Sequence, residues 1–259
     1  MSDLDTDLPL TEFDPDREAL IAPRPPALRE PMPARVVMCF FPEVLAGLTA
    51  SHAARRIGAF PRDLGGHEIH LVEAGGEPVA VFHPGVGAPL AAHHLEQAIA
   101  AGGRAFVACG GAGALRAGMA LGHVVVPDAA VRDEGTSYHY APPARVVRAD
   151  PATVAACVDV LAERAVPYTI GMTWTTDAPL RETPARIRAR RDEGCITVEM
   201  ETAAFLTVAA FRGVRLTQYL YAGDDVSGST WSHRNWTSSS GVRAGLLDLA
   251  LAAVRRLPL

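Results

Sequence analysis

Thr197-Val198-Glu199-Met200-Glu201-Thr202-Ala203-Ala204, followed about two dozen residues later by Gly223-Asp224-Asp225, decides how this chain is read. Val198 and Met200 suit the end of a buried strand, and from Glu201 onward the apolar residues recur at helical spacing. Two acids therefore stand at a strand-to-helix junction, where free backbone amides and the positive end of the helix dipole face a cleft. The run 216–222 carries no charge and stops at two adjacent aspartates. Acids at the carboxyl ends of strands lie where α/β sheets bind ligands.

The rest of the chain agrees with such a sheet. Strand signals lie at 35–41, 68–73, 78–83, 104–109, 123–127, 168–172 and 215–222, and helix signals at 89–101, 151–164, 184–193, 201–212 and 240–255. Three of those helices open on proline, at Pro89, Pro151 and Pro184. Alternating strands and helices predict a single α/β domain over 35–259, with a mixed central sheet flanked by helices on both faces. Residues 1–34 hold seven prolines and a run of acids. They cannot bury enough apolar surface to offset their ordering, so they are expected to be disordered or to form an arm over another subunit.

With 259 residues, 49% of them hydrophobic, the chain is long enough for one large core. A net charge of -5 offers no footprint for nucleic acid or an anionic membrane. No apolar run is long enough to span a bilayer, and acids stand where a signal peptide needs basic residues, so a cytoplasmic protein with a small-molecule partner is expected. Cys39, Cys109, Cys157 and Cys195, which read as lying in a strand, a strand, a helix and a loop, form no C-x-x-C pair and read as buried, inert thiols. His93 and His94 are adjacent, which on a helix points them about 100° apart, so no metal site is expected.

Gly110-Gly111-Ala112-Gly113 follows a strand, but the dinucleotide fingerprint fails at Arg116 and no Gly-Lys-Ser/Thr occurs. What remains is a glycine turn whose backbone can approach an anion or a sugar closely.

Taken together, the motifs resemble the nucleoside phosphorylase superfamily, with its purine nucleoside phosphorylase, uridine phosphorylase and methylthioadenosine nucleosidase branches. Glu199-Met200-Glu201 resembles its ribose-binding stretch, and Asp224 its base-protonating acid. Val81-Phe82-His83-Pro84-Gly85-Val86-Gly87 resembles its strand and glycine turn, and 104–113 its phosphate loop. Arg132-Asp133-Glu134-Gly135-Thr136-Ser137-Tyr138 resembles a loop of the uridine phosphorylase branch. The resemblance implies cleavage of a nucleoside N-glycosidic bond by a homodimer or homohexamer. It needs no cofactor, with phosphate as the candidate co-substrate. Glu201 and Met200, with Glu199 beside them, would hold the ribose, Glu201 by accepting from both sugar hydroxyls. Asp224 would protonate the departing base, which needs a raised pKa. Thr176 and Arg181 would line the base pocket, and Gly110 and Gly111 would face the nucleophile.

The chain departs from the family in three places. Val44, in the early turn expected at 40–44, and Ala108 stand where phosphorylases have arginines, and Gly111 where they have a hydroxyl. Unless other arginines, such as Arg116 or Arg132, substitute, turnover should depend weakly on phosphate. Glu43-Val44 resembles instead the nucleosidase pair in which the glutamate activates water, so phosphate and water both stay open as nucleophile. Pro179 replaces the glutamine that partners Arg181 in the uracil-specific branch, and the base stays open too. A nucleoside-binding protein without turnover is the remaining alternative.

Overall fold

Five consecutive residues can all be buried in a strand only when both sheet faces are covered, and 105–109 are all fully buried. The computed structural model describes residues 8–259. In chain order its elements are β1 (Ala27–Leu28), β2 (Arg35–Cys39), α1 (Pro42–Ala50), β3 (Ala54–Ala59), β4 (Glu68–Ala74), β5 (Glu77–Phe82), α2 (Ala88–Ala100), β6 (Ala105–Ala114), β7 (Val124–Asp133), β8 (Val146–Arg148), α3 (Pro151–Glu163), β9 (Tyr168–Thr176), α4 (Pro184–Asp192), β10 (Cys195–Glu199), α5 (Thr202–Arg212), β11 (Arg215–Asp225) and α6 (Ser240–Val254). The mixed sheet runs β1-β3-β4-β5-β2-β6-β10-β9-β7-β11, and a further pairing of β11 with β6 closes its second half into a ring of five strands. Helices α3, α5 and α6 pack on these strands, and α2 packs on α5.

One edge of β6 creates a crevice. Along 105–109 it pairs in parallel with β2, and at Gly113 and Ala114 it pairs antiparallel with β10. Residues 110–112 lie between those partners and have no strand neighbour on that edge among the described residues, while the other edge pairs with β11 throughout. Neighbouring strands diverge there, which is where an α/β sheet accommodates a ligand.

Three expectations are corrected. The glycines 110–113 form no turn but lie within β6. Extension is required because β11 holds Gly110, Gly111 and Ala112 in register with Leu220, Tyr221 and Ala222. The turn expected at 40–44 is instead the start of α1, with Pro42 at its first position and Glu43 in its first turn. Cys195, read as a loop residue, opens β10; all four cysteines are free and buried.

Part of the acidic, proline-rich stretch contacts its own chain. Residues 1–7 lie outside the described residues. Ala27 and Leu28 pair with Ala59 and Gly58, the Arg17 carbonyl accepts from Arg212, and the Arg17 guanidinium lies over the Phe211 ring. Residues 14–25 are nevertheless exposed throughout. Removing residues 1–24 should therefore leave a folded protein whose Tm falls by no more than about 2–4 °C. Circular dichroism melting checks this, and a collapse of the cooperative transition would contradict it. Among the described residues no helix is long and apolar enough to cross a membrane.

Candidate active site

The α5 start is built by Glu199 from the strand before it. Its Oε2 accepts the amides of Glu201 and Thr202, each at 2.7 Å, and its Oε1 accepts the Thr175 hydroxyl at 2.6 Å. Two of the orphan donors that every helix start leaves are thereby satisfied. Burial pushes its pKa up, against the pull of those bonds. With both oxygens engaged, this acid, expected at the sugar, clamps β9, β10 and α5 together.

Glu201 keeps one carboxylate oxygen without a hydrogen bond among the described residues. It is 5% exposed, and its Oε1 accepts the Gly87 amide, from the turn before α2, at 2.5 Å. Burial raises its pKa, the neighbouring Glu199 carboxylate raises it further, and the Gly87 and Met200 amides oppose them. Met200 is half-buried between the two glutamates.

Asp224 stands near the end of β11, beside the glycine strand. A Cβ placed on Gly113 would lie 2.9 Å from Val198 Cγ1 and 3.4 Å from Asp224 Oδ1, so glycine is what lets β10 and the aspartate meet over β6. Asp224 Oδ2 accepts the Trp231 indole N–H at 2.7 Å. Asp225 is committed elsewhere: its Oδ1 accepts the Ser227 amide at 2.8 Å. Burial works against its charge, but Ser227 and Arg234 hold its pKa below the usual carboxylate value.

A cavity of about 390 Å³ opens at Asp224 and is lined also by Leu180, Glu182, Ile187, Val226 and Trp231. The Glu182 carboxylate makes no hydrogen bond or ion pair among the described residues. Burial, and then the charge of Asp224, push its pKa up to about 7. Sequence reasoning missed this residue, because only the fold brings it to Asp224. A larger cavity of about 980 Å³ lies between residues 16–24, α2 and α5, and neither Asp224 nor Glu201 lines it.

The other expected residues are placed as follows. Thr176 is buried at the end of β9, where its hydroxyl accepts the Ala178 amide. Arg181 is exposed at the end of a short 3-10 turn and does not line the cavity, although Leu180 and Glu182 on either side do. Gly110 packs under Phe40, and a Cβ on Gly111 would lie 3.2 Å from both Trp236 and Tyr221. Glu43 Oε1 accepts Arg243 Nη1 at 2.7 Å. Arg116 is exposed and donates to Thr169, while Arg132 donates to Ser137 and to the carbonyls of Ala141 and Pro142, which spends it on its own loop.

Known proteins share this arrangement of elements. The chain is 34% identical over 125 residues to a uridine phosphorylase of Thermococcus kodakarensis, an alignment covering 48% of this chain and 44% of that one. It is 28% identical over 199 residues to a uridine phosphorylase of Klebsiella aerogenes, covering 71% and 78%. It is also 28% identical over 150 residues to a guanosine phosphorylase of Halorubrum lacusprofundi, covering 57% and 62%. A crystal structure of uridine phosphorylase from Vibrio fischeri shares the fold, with a TM-score of 0.71 at 20% identity over 87% of this chain and 92% of that one. The family model described as the phosphorylase superfamily matches residues 34–250, which take in every element carrying Glu201, Asp224 and the glycine strand, and the chain belongs to that superfamily.

Proposed function

We propose that the chain cleaves the N-glycosidic bond of a nucleoside, with phosphate as nucleophile. The observation that carries this reading is the approach of Asp224 to the glycine strand: a Cβ on Gly113 would lie 3.4 Å from Asp224 Oδ1, and the strand partner of Gly113, Val198, leads within three residues to Glu201. Glu201 accepts hydrogen bonds from the ribose hydroxyls while positive charge builds on the sugar. Asp224 supplies the proton that neutralises the departing base. Water activation by Glu43 is the weaker alternative, because its Oε1 is occupied by the Arg243 guanidinium at 2.7 Å. The relatives named as uridine and guanosine phosphorylases support the same choice.

Glu182 points to the base. An ionised carboxylate beside Asp224 accepts from a ring N–H, which uracil and 6-oxopurines present and adenine lacks. Uridine and guanosine or inosine should therefore be cleaved in preference to adenosine. Binding through the ionised form means that KM for these substrates rises as pH falls through about 7. In Glu182→Gln that limb should disappear and KM should rise about tenfold at pH 8. Base release from a nucleoside panel across roughly pH 5.5–8.5 tests both statements. An unchanged pH limb in the variant would remove Glu182 from the base site, and no release from any nucleoside would contradict the proposed activity.

A further inference from the structure

Arg243, in the first turn of α6, is 7% exposed, and its guanidinium lies between the rings of Phe41 and Trp236 at 5.2 and 5.3 Å. Its Nε donates to the Tyr221 hydroxyl at 3.0 Å and its Nη1 to Glu43 at 2.7 Å. Nη2 makes no hydrogen bond among the described residues. Tyr221 is also the side chain that a Cβ on Gly111 would touch, so the guanidinium stands behind the glycine strand, on the face to which a residue at 111 would point. The pair partners differ in burial: the Arg243 side chain is 9% exposed and that of Glu43 45%. The arginine is fixed by its ring neighbours, whereas the glutamate can swing into water at little cost.

We propose that Arg243 supplies the cation of the nucleophile subsite, binding a tetrahedral oxyanion of the phosphate class through Nη1 and Nη2, with Glu43 as the counter-ion that the anion displaces. This deepens the phosphorolysis reading and rests on it for the identity of the anion. It assigns to α6 the positive charge that Val44, Ala108 and Gly111 do not provide. With Glu43 displaced, Nη1 and Nη2 together match the geometry of a phosphate edge. Glu43 acts as a competitor that keeps the buried charge paired while the subsite holds no anion.

The test is equilibrium binding of inorganic phosphate to the full chain, followed by calorimetry without nucleoside. Arg243→Gln should weaken it roughly 10- to 100-fold, the loss of one charge-assisted contact, and Glu43→Gln should strengthen it about tenfold by removing the competitor. Arg243→Lys keeps the charge without the fork and should fall between the parent and Arg243→Gln. If Arg243→Gln does not fold, Glu43→Gln decides, since its side chain is at the surface. Unchanged affinity in Arg243→Gln, or unchanged or weaker binding in Glu43→Gln, overturns the proposal. Phosphorolysis with an unaltered phosphate KM in Arg243→Gln would overturn it while leaving the activity intact. Failure to cleave any nucleoside, with phosphate binding altered as stated, would instead refute the activity and leave the subsite standing.

Discussion

Asp224→Asn should slow base release by about 10² to 10⁴, the range that a positioned general acid contributes. The amide keeps the shape and still accepts the Trp231 N–H, so the fold at the end of β11 is preserved while the transferable proton is lost. Asp225→Asn should cost far less, because that carboxylate serves the Ser227 turn and points its charge at Arg234, 3.9 Å away. Single-turnover base release compares the two directly. Equal losses would mean that the proton comes from elsewhere, with Glu182 the next candidate in the same cavity.

Glu201→Gln carries the second large effect, and it acts in opposite senses on function and on stability. Two charge-assisted bonds to sugar hydroxyls become at best one neutral bond, since the retained carbonyl oxygen is needed by the Gly87 amide. KM for ribonucleosides should rise by about 10² or more, and the preference for ribose over 2′-deoxyribose should shrink. Stability should go the other way. The folded-state pKa of Glu201 is raised, by burial and then by Glu199, so ionising it costs the fold free energy once pH rises above the unfolded value. Below that value both states are protonated and nothing is lost. Glutamine never ionises, so the variant should melt about 2–4 °C above the parent at pH 8, with the gap narrowing towards pH 5. A variant that melts lower at pH 8, or that binds ribosides normally, would show that Glu201 is a packing residue.

How much of this could be read from the residues depended on whether the signal was local. The strand ends at Glu201 and Asp224 were legible because an uncharged run that stops at acids is a local pattern, and helices with proline in the first turn announce themselves the same way. The glycine strand was not. Four residues rich in glycine carry a turn signal, and what keeps 110–113 extended is register with β11, more than a hundred residues away in sequence. β3 was missed because its outward Arg55 and Arg56 and a bulge before Gly58 break the alternation that marks a strand. The motif Glu-Met-Glu was visible, but the division of labour within it was not. Only the distances show that Glu199 holds the helix start while Glu201 accepts the Gly87 amide with one oxygen. Glu182 and Arg243 lie outside every local motif, and their meaning comes from Asp224 and Glu43, brought to them by the fold.

The nucleophile is the point on which the sequence and the geometry lean apart. The absent arginines argue for weak phosphate dependence, whereas Arg243 restores a buried guanidinium behind the glycine strand and occupies Glu43. The most direct measurement is the sugar product formed from uridine or guanosine with and without inorganic phosphate. Ribose 1-phosphate, at a rate that saturates with phosphate and falls to background in its absence, is the predicted result. Free ribose, released at the same rate whether or not phosphate is present, would contradict it.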